Sequence, residues 1–243
     1  MFVNALKAKV ENMNPLVSIV VVTYNRAHFL KDALDSILRQ SFKDYEIILV
    51  DDGSTDSTKI IVEQYEGIHY IYQEHAGVSK ARNTAVKAAK GKWIATLDSD
   101  DLWKKEKLQK QVDYLRAHPE CRIVYTAFGN FAVVPENELN ERQIELLHAV
   151  VKWYLPSALI DIGLFDEIGM FDESLACGED TDWNLRLRFH KINMEHCIDE
   201  VLYLRRIHNS NISGTQKNMS NLDFWRMATD AFRKTYTNTK RRK

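Results

Sequence analysis

The feature that most constrains this chain is the regular alternation, between residues 16 and 128, of short β-branched runs with amphipathic helical stretches. Val17–Thr23 reads as a buried strand. The stretch after it places Leu30, Ala33, Leu34, Ile37 and Leu38 on one helical face, and Asn25 stands where an N-cap is expected. Glu46–Val50 predicts a second strand, and Ser54–Tyr65 a helix capped by Ser54 that buries Ile60 and Ile61. Ile68–Tyr72, Trp93–Leu97 and Arg122–Phe128 predict further strands. Gly77–Ala89 and Leu102–Ala117 are the helices between them, with Gly91 and Pro119 as their stops. A helical crossover returns the chain in its original direction, so the strands pair in parallel and the helices cover both faces of the sheet.

After Phe128 the alternation fails. Pro135–Arg142 is polar, helical patterns at Gln143–Trp153 and Glu179–His190 flank a segment rich in Gly and Asp, and Val201–Leu204 reads as one more strand. The expected organisation is an extension over 1–14, an α/β half over 15–128, a second half of the same domain over 129–210, and a helical tail over 211–243.

Composition narrows the field. A net charge of -1 lacks the basic footprint of a nucleic-acid binder. Cys121, Cys177 and Cys197 form no C-x-x-C pair, which argues against a disulfide framework or zinc knuckle and makes a reducing cytoplasm the simplest compartment. The first 14 residues carry Lys7, Lys9 and Glu11 without a long apolar core, so no signal peptide is expected.

In parallel α/β sheets, ligands bind beyond the carboxyl ends of the strands. The polar clusters of this chain fall there: Thr23-Tyr24-Asn25, Asp51-Asp52-Gly53-Ser54 and Asp98-Ser99-Asp100-Asp101. Three carboxylates in four residues repel one another unless a cation or water screens them. Hard ions such as Mg²⁺ or Mn²⁺ take one or two carboxylates plus phosphate oxygens. A solvated acidic turn is the competing reading. Asp51-Asp52 suits either a base or ribose contact, or a turn. Gly77 to Asn83 opens a helix, where Lys80 and Arg82 suit an anion or an exposed basic face. Glu179-Asp180-Thr181-Asp182 offers a general base, or ordinary first-turn acids. Arg205-Arg206-Ile207-His208 offers a metal ligand and a cation for a diphosphate, or surface residues.

Taken in order, Val17 to Arg26, Gln40-Ser41-Phe42, Glu46 to Asp56, Gly77 to Asn83, Leu97 to Asp101, Gly169 to Glu173, Glu179-Asp180 and Arg206-x-His208 resemble the motifs of family 2 glycosyltransferases. The resemblance spans roughly residues 16 to 210. It implies the GT-A fold: a Rossmann-like, mostly parallel central sheet with helices on both faces and a C-terminal acceptor-side lobe. The 15–128 half would bind a nucleotide sugar, and the 129–210 half would supply the acceptor site and base. Thr23, Tyr24, Asp52 and Arg82 match positions that hold the nucleoside, with Asp52 on the base; Asn25, Lys80 and Ser99 accompany them. Asp98 matches the ribose-side carboxylate, Asp100 a ligand for Mn²⁺ or Mg²⁺, His208 a further ligand, and Asp180 the general base. The implied reaction is inverting transfer of one sugar, with UDP-sugar the expected donor and a glycan or glycolipid the acceptor. The chain lacks the Q-x-x-R-W element of processive synthases.

Other classes fit less well. A phospho-receiver domain accounts for Asp51-Asp52 but not for the second acidic cluster or the length. A nucleotidyltransferase would release pyrophosphate, and a non-catalytic module would bind donor without turnover. A dinucleotide dehydrogenase lacks its G-x-G-x-x-G here.

The C-terminal tail carries Leu222, Trp225, Phe232 and Tyr236, then ends Lys240-Arg241-Arg242-Lys243. An apolar stripe with a basic end suits peripheral contact with an anionic membrane; a helix packed on the core is the alternative. Co-sedimentation should recover the protein with anionic liposomes and leave it in solution with neutral ones. Equal recovery from both rejects the membrane reading.

Overall fold

The structure is a computed structural model that describes residues 14–148, 154–175, 177–208 and Thr229. The extension before residue 14 and the tail residues Leu222, Trp225, Phe232 and Tyr236 lie outside them.

Among the described residues, eight strands form one sheet. They are β1 (Val17–Thr23), β2 (Tyr45–Asp51), β3 (Ile68–Tyr72), β4 (Trp93–Asp98), β5 (Leu102–Trp103), β6 (Ile123–Ala132), β7 (Leu159–Asp161) and β8 (Cys197–Ile207), in spatial order β3-β2-β1-β4-β7-β6-β8-β5. The helices are α1 (Ala27–Leu38), α2 (Thr58–Val62), α3 (Val78–Ala88), α4 (Lys107–Ala117), α5 (Glu141–Leu147), α6 (Gly163–Ile168) and α7 (Glu179–Phe189). Strands β3, β2, β1 and β4 are mutually parallel, as the sequence predicts.

The β-branched runs form buried strands because their side chains alternate between two cores. Val17, Ile19, Val21, Ile47 and Leu49 pack under α1 and α4 with Leu30, Leu34, Leu108 and Val112. Val20, Ile48, Val50 and Ile94 pack on the other face with Ala81 and Ala85 of α3, Leu164 of α6, and Trp183 and Leu187 of α7.

The second half continues this sheet. β7 runs antiparallel between β4 and β6, with Trp93↔Asp161 and Ile123↔Ile160 in register, and β8 runs parallel to β6. β7 has only three residues and follows a 3₁₀ turn at Leu155–Ser157, too short a pattern to read from sequence.

Several local expectations are corrected. Leu102 and Trp103 are a strand paired with Leu204 and Tyr203, and the helix starts at Lys107. Asn25 does not cap α1: it takes a left-handed φ of 50°, and Asp56 Oδ2 accepts from the Ala27 amide instead. Ser54 does not cap α2 either; its hydroxyl accepts from the Asn25 amide. Ile60 is 62% exposed and Leu38 42%, because α2 is a short helix and Leu38 ends α1. Gly91 marks a close approach, since a Cβ there would lie 2.6 Å from the Ser18 amide nitrogen. Among the described residues, no helix is long and apolar enough to cross a membrane.

Beneath α4 lies a buried polar network. The Lys107 ammonium is fully buried, donates to Gln111 Oε1 at 2.9 Å and lies 4.3 Å from the Trp103 ring centre. Gln111 Nε2 in turn donates to the carbonyls of Val124 and Ser157. Burial pulls the Lys107 pKa down from 10.5 to about 7. Between those values the unfolded chain binds more protons than the folded one, so this residue makes stability rise with pH. The unfolding free energy of the wild type minus that of Lys107→Met should therefore grow between pH 7.5 and 9.5, by up to about 1.4 kcal/mol per pH unit. Urea titrations across that range check it; a flat difference contradicts it.

Candidate active site

The site assembles at the carboxyl ends of β1, β2 and β4. These strands are neighbours, with Thr23 opposite Asp51 and Val22 opposite Asp98, so pairing alone brings three sequence clusters together.

At the ends of β1 and β2, Thr23 is buried and Tyr24 is 41% exposed. Tyr24 stacks on His75 with ring centres 4.0 Å apart. Asp51 and Asp52 are both buried but serve different neighbours. Asp51 accepts from the Ser54 amide at 2.8 Å and from the Tyr70 hydroxyl at 2.8 Å. Asp52 gathers the segment that leads into α3: its carboxylate accepts from Gln73 Nε2 at 2.6 Å, the Ala76 amide at 3.0 Å and the Gly77 amide at 2.9 Å, and lies 2.8 Å from His75 Nδ1. Asn25 accepts from the Thr55 amide and so ties the β1 end to the β2 end.

At the end of β4 each acid meets a different partner. Asp98 accepts from Arg82 Nη2 at 2.8 Å and from the Tyr154 hydroxyl at 3.3 Å. Ser99 is buried. Asp100 Oδ2 lies 3.0 Å from His208 Nε2 and 3.6 Å from Arg26 Nε. Burial pushes the Asp100 carboxyl up, but the bond and charge of His208 and the charge of Arg26 outweigh it, holding the pKa below the usual range. Asp101 accepts from the Tyr203 hydroxyl at 2.7 Å and the Arg206 amide at 2.8 Å. Burial, then the charges of Asp100 and Asp98, raise its pKa well above the usual range.

Arg206 braces this loop. Its Nε donates to the Asp100 carbonyl at 2.8 Å and Nη2 to Asp32 at 2.9 Å, while the guanidinium lies over Phe29 and Phe131. Phe29 also packs on the His208 ring.

The third wall is the first turn of α7. Glu179 pairs with Arg82. Asp182 pairs with Arg186 at 2.9 Å, and Arg186 also donates to the carbonyls of Ile168, Gly169 and Met170. Asp180 is half-buried and accepts from the Thr181 amide at 2.7 Å. Its charge acts on both Arg82 and Tyr154. Lys80 reaches across to Glu173 at 3.2 Å, and Asn83 fixes that segment by bonding the Phe171 carbonyl, the Phe171 amide and Glu173.

The fold thus gathers Arg82, Asp98, Asp100, Asp180 and His208 in one place, with Thr23, Tyr24, Asn25 and Asp52 on the adjoining strand ends. Sequence reasoning missed Tyr154, Tyr203 and the bracing work of Arg206, Asn83 and Glu179. Asn83, Glu179 and Arg206 stood inside conspicuous motifs, but no local signal marks Tyr154, which a 3₁₀ turn delivers.

Two atoms of metal-ligand type, Asp100 Oδ2 and His208 Nε2, stand 3.0 Å apart. Among the described residues there is no group of three or more His, Cys, Asp or Glu that could hold a metal ion. A carboxylate and an imidazole, with remaining positions left to phosphate and water, suit Mg²⁺ or Mn²⁺, which rarely take all-protein cages.

Gly53 makes the Asp52 arrangement possible. Its φ is +87°, and a Cβ there would lie 2.8 Å from the His75 amide nitrogen. Gly53→Ala should lower the unfolding free energy by roughly 1–3 kcal/mol through backbone strain. Urea denaturation measures this, and an unchanged midpoint and slope would show that the turn tolerates a side chain.

Comparison with known proteins places this architecture. The model for glycosyl transferase family 2 matches residues 18–173. The uncharacterized glycosyltransferase RP339 of Rickettsia prowazekii (strain Madrid E) is 33% identical over 220 residues, covering 84% of this chain and 68% of the relative. The putative teichuronic acid biosynthesis glycosyltransferase TuaG of Bacillus subtilis (strain 168) is 41% identical over 126 residues, half of each chain. The crystal structure of S. aureus TarS 1-349 in complex with UDP superposes with a TM-score of 0.62 at 26% identity, over 80% of this chain and 61% of that one. The present chain therefore spans between half and about two thirds of the length of these proteins. With the family model covering most of its length and the sheet and strand-end site described above, the chain belongs to the family 2 glycosyltransferases and has the GT-A fold.

Proposed function

We propose that this chain transfers one sugar from a nucleotide diphosphate sugar, UDP-sugar in the first instance, to a hydroxyl of a glycan or glycolipid acceptor with inversion at the anomeric carbon. The observation that carries the reading is the juxtaposition of Asp100 and His208 beside Asp98, which Arg82 links to the turn of α7 that carries Asp180. UDP as donor is supported by the UDP bound in the TarS structure at 26% identity.

On this reading Thr23, Tyr24, Asn25 and Asp52 receive the nucleoside. Tyr24 offers a part-exposed ring for a base to stack on. Asp52 shapes the 73–77 segment and lies beside the base, with Lys80 and Arg82 as nearby positive charge. Asp98 and Ser99 face the ribose. Asp100 and His208 would hold Mn²⁺ or Mg²⁺, which supplies positive charge against the leaving diphosphate.

Asp180 is the general base. Glu179 and Asp182 are committed to arginines, whereas no cation is paired with Asp180 among the described residues. Its carboxylate takes the acceptor proton as the acceptor oxygen attacks the sugar from the face opposite the leaving group. The sugar–phosphate bond breaks as the new glycosidic bond forms, and no covalent sugar–enzyme species is needed.

The test is a donor screen with Mn²⁺ and each common nucleotide sugar, reading released nucleotide. Activity is expected with a UDP-sugar and should vanish in EDTA and in Asp100→Ala. Asp180→Asn should lower kcat by about 10²–10⁴-fold, the usual worth of a positioned base, while UDP affinity stays within about twofold because the nucleotide contacts lie at other strand ends. Full activity in EDTA removes the metal role. Normal turnover by Asp180→Asn removes the base assignment.

A further inference from the structure

Arg82 is the buried cation at the centre of this site. It projects from α3, is 6% exposed, and each end of its guanidinium meets a carboxylate from a different element. Nη2 donates to Asp98 at the end of β4 at 2.8 Å, and Nη1 donates to Glu179 in the first turn of α7. The guanidinium is a rigid planar fork, so movement of one carboxylate is felt by the other. Its face is backed by the Phe171 ring, 5.8 Å away, which packs on Trp183 of α7.

The same turn of α7 is held from beneath. Trp183 Nε1 donates to the Gly169 carbonyl at 2.9 Å, and Asp182 is paired with Arg186. The chain enters the turn through Gly178 in the left-handed region, φ +80°. Asp180 therefore stands between two anchored residues and has no ion pair of its own among those described. Its carboxylate accepts locally from the Thr181 amide, and the backbone that carries it is held by Glu179 on one side and Asp182 on the other. Of these two anchors, only Glu179 leads to the donor side.

We propose that Glu179 is a positioning residue for Asp180, and that Arg82, clamped between Asp98 and Glu179, couples occupation of the donor site to the placement of that base. The inference rests on the donor and base assignments made above. Donor contacts that fix Asp98 fix the Arg82 fork, and the fork fixes the first turn of α7. A brace serving stability alone would hold α7 equally well with the donor site empty or full.

Hydrogen–deuterium exchange on the full chain separates the two. Adding UDP and Mn²⁺ to the wild type should slow exchange at 94–101 and also at 177–185. In Glu179→Gln, which keeps the side-chain shape, protection at 94–101 should persist and protection at 177–185 should disappear. Should circular dichroism show that this variant does not fold, Arg82→Lys, which keeps the charge but cannot span both carboxylates, takes the same test. Release of UDP from the UDP-sugar that the donor screen identifies gives a second readout. Glu179→Gln should lower kcat about tenfold with donor KM within about twofold, and should add nothing in an Asp180→Asn background, as expected for a residue acting through another.

The inference is overturned if UDP protects 94–101 but not 177–185 in the wild type, if Glu179→Gln keeps that protection, or if its loss adds to that of Asp180→Asn. If neither UDP nor GDP slows exchange anywhere, the donor reading fails and the inference fails with it.

Discussion

Three carboxylates within four residues, at the buried end of a strand, set the electrostatic problem that the rest of this site resolves. Like charges so close cannot all stay ionised without compensation. Each acid is answered by a different part of the chain. Asp98 is met by Arg82 of α3, Asp100 by His208 and Arg26, and Asp101 by the Tyr203 hydroxyl and the Arg206 amide of β8. Asp101 is the one whose pKa is raised well above the usual range, because burial and its two acidic neighbours all disfavour its charge. The polar residues that look scattered along the chain are largely the answers to this one cluster.

Those answers explain why β8 belongs to the same sheet as β1 to β4. Its central residues pair with β6 and with β5, the two-residue strand that follows the acidic loop. Leu102 and Trp103 are thereby drawn out of the helix that their sequence context suggests. Strand pairing holds the acidic loop from one side and Arg206 holds it from the other. Removing Arg82 would leave the buried Glu179 carboxylate uncompensated, at a cost of about 3–5 kcal/mol, so such contacts constrain geometry even where their net contribution is small.

The first turn of α7 shows how neighbouring residues of one type acquire different duties. Glu179, Asp180 and Asp182 are all acids at a helix start, where the dipole tolerates negative charge. Helical spacing turns Glu179 towards Arg82 and Asp182 towards Arg186, and leaves Asp180 without a paired cation among the described residues. Chemistry is assigned within this trio by direction rather than by composition.

The α/β framework from β1 to α4 was legible from residues alone, because β-branched runs of Val17–Thr23 and Glu46–Val50 and the helical spacing after them can be satisfied in few other ways. So was the gathering of Thr23-Tyr24-Asn25, Asp51-Asp52 and Asp98 to Asp101 at neighbouring strand ends, where the candidate site lies. In the second half the helix at Glu179 and the strand at Val201–Leu204 were legible, but β7, three residues long, was not, nor was β5, two residues long in the first half; such strands exist only because β4, β6 and β8 are there to pair with them. Nor could the sequence say that Asp52 would collect the 73–77 segment, that Arg206 would face Asp32 and the acidic loop, or that Tyr154 would reach Asp98. Local sequence determined the strands, the crossovers and the residue types placed at their ends. Only tertiary structure decided the partners, because a buried charge takes its role from whichever groups the fold brings within hydrogen-bonding distance, and those lie up to 174 residues away, as Asp32 does from Arg206.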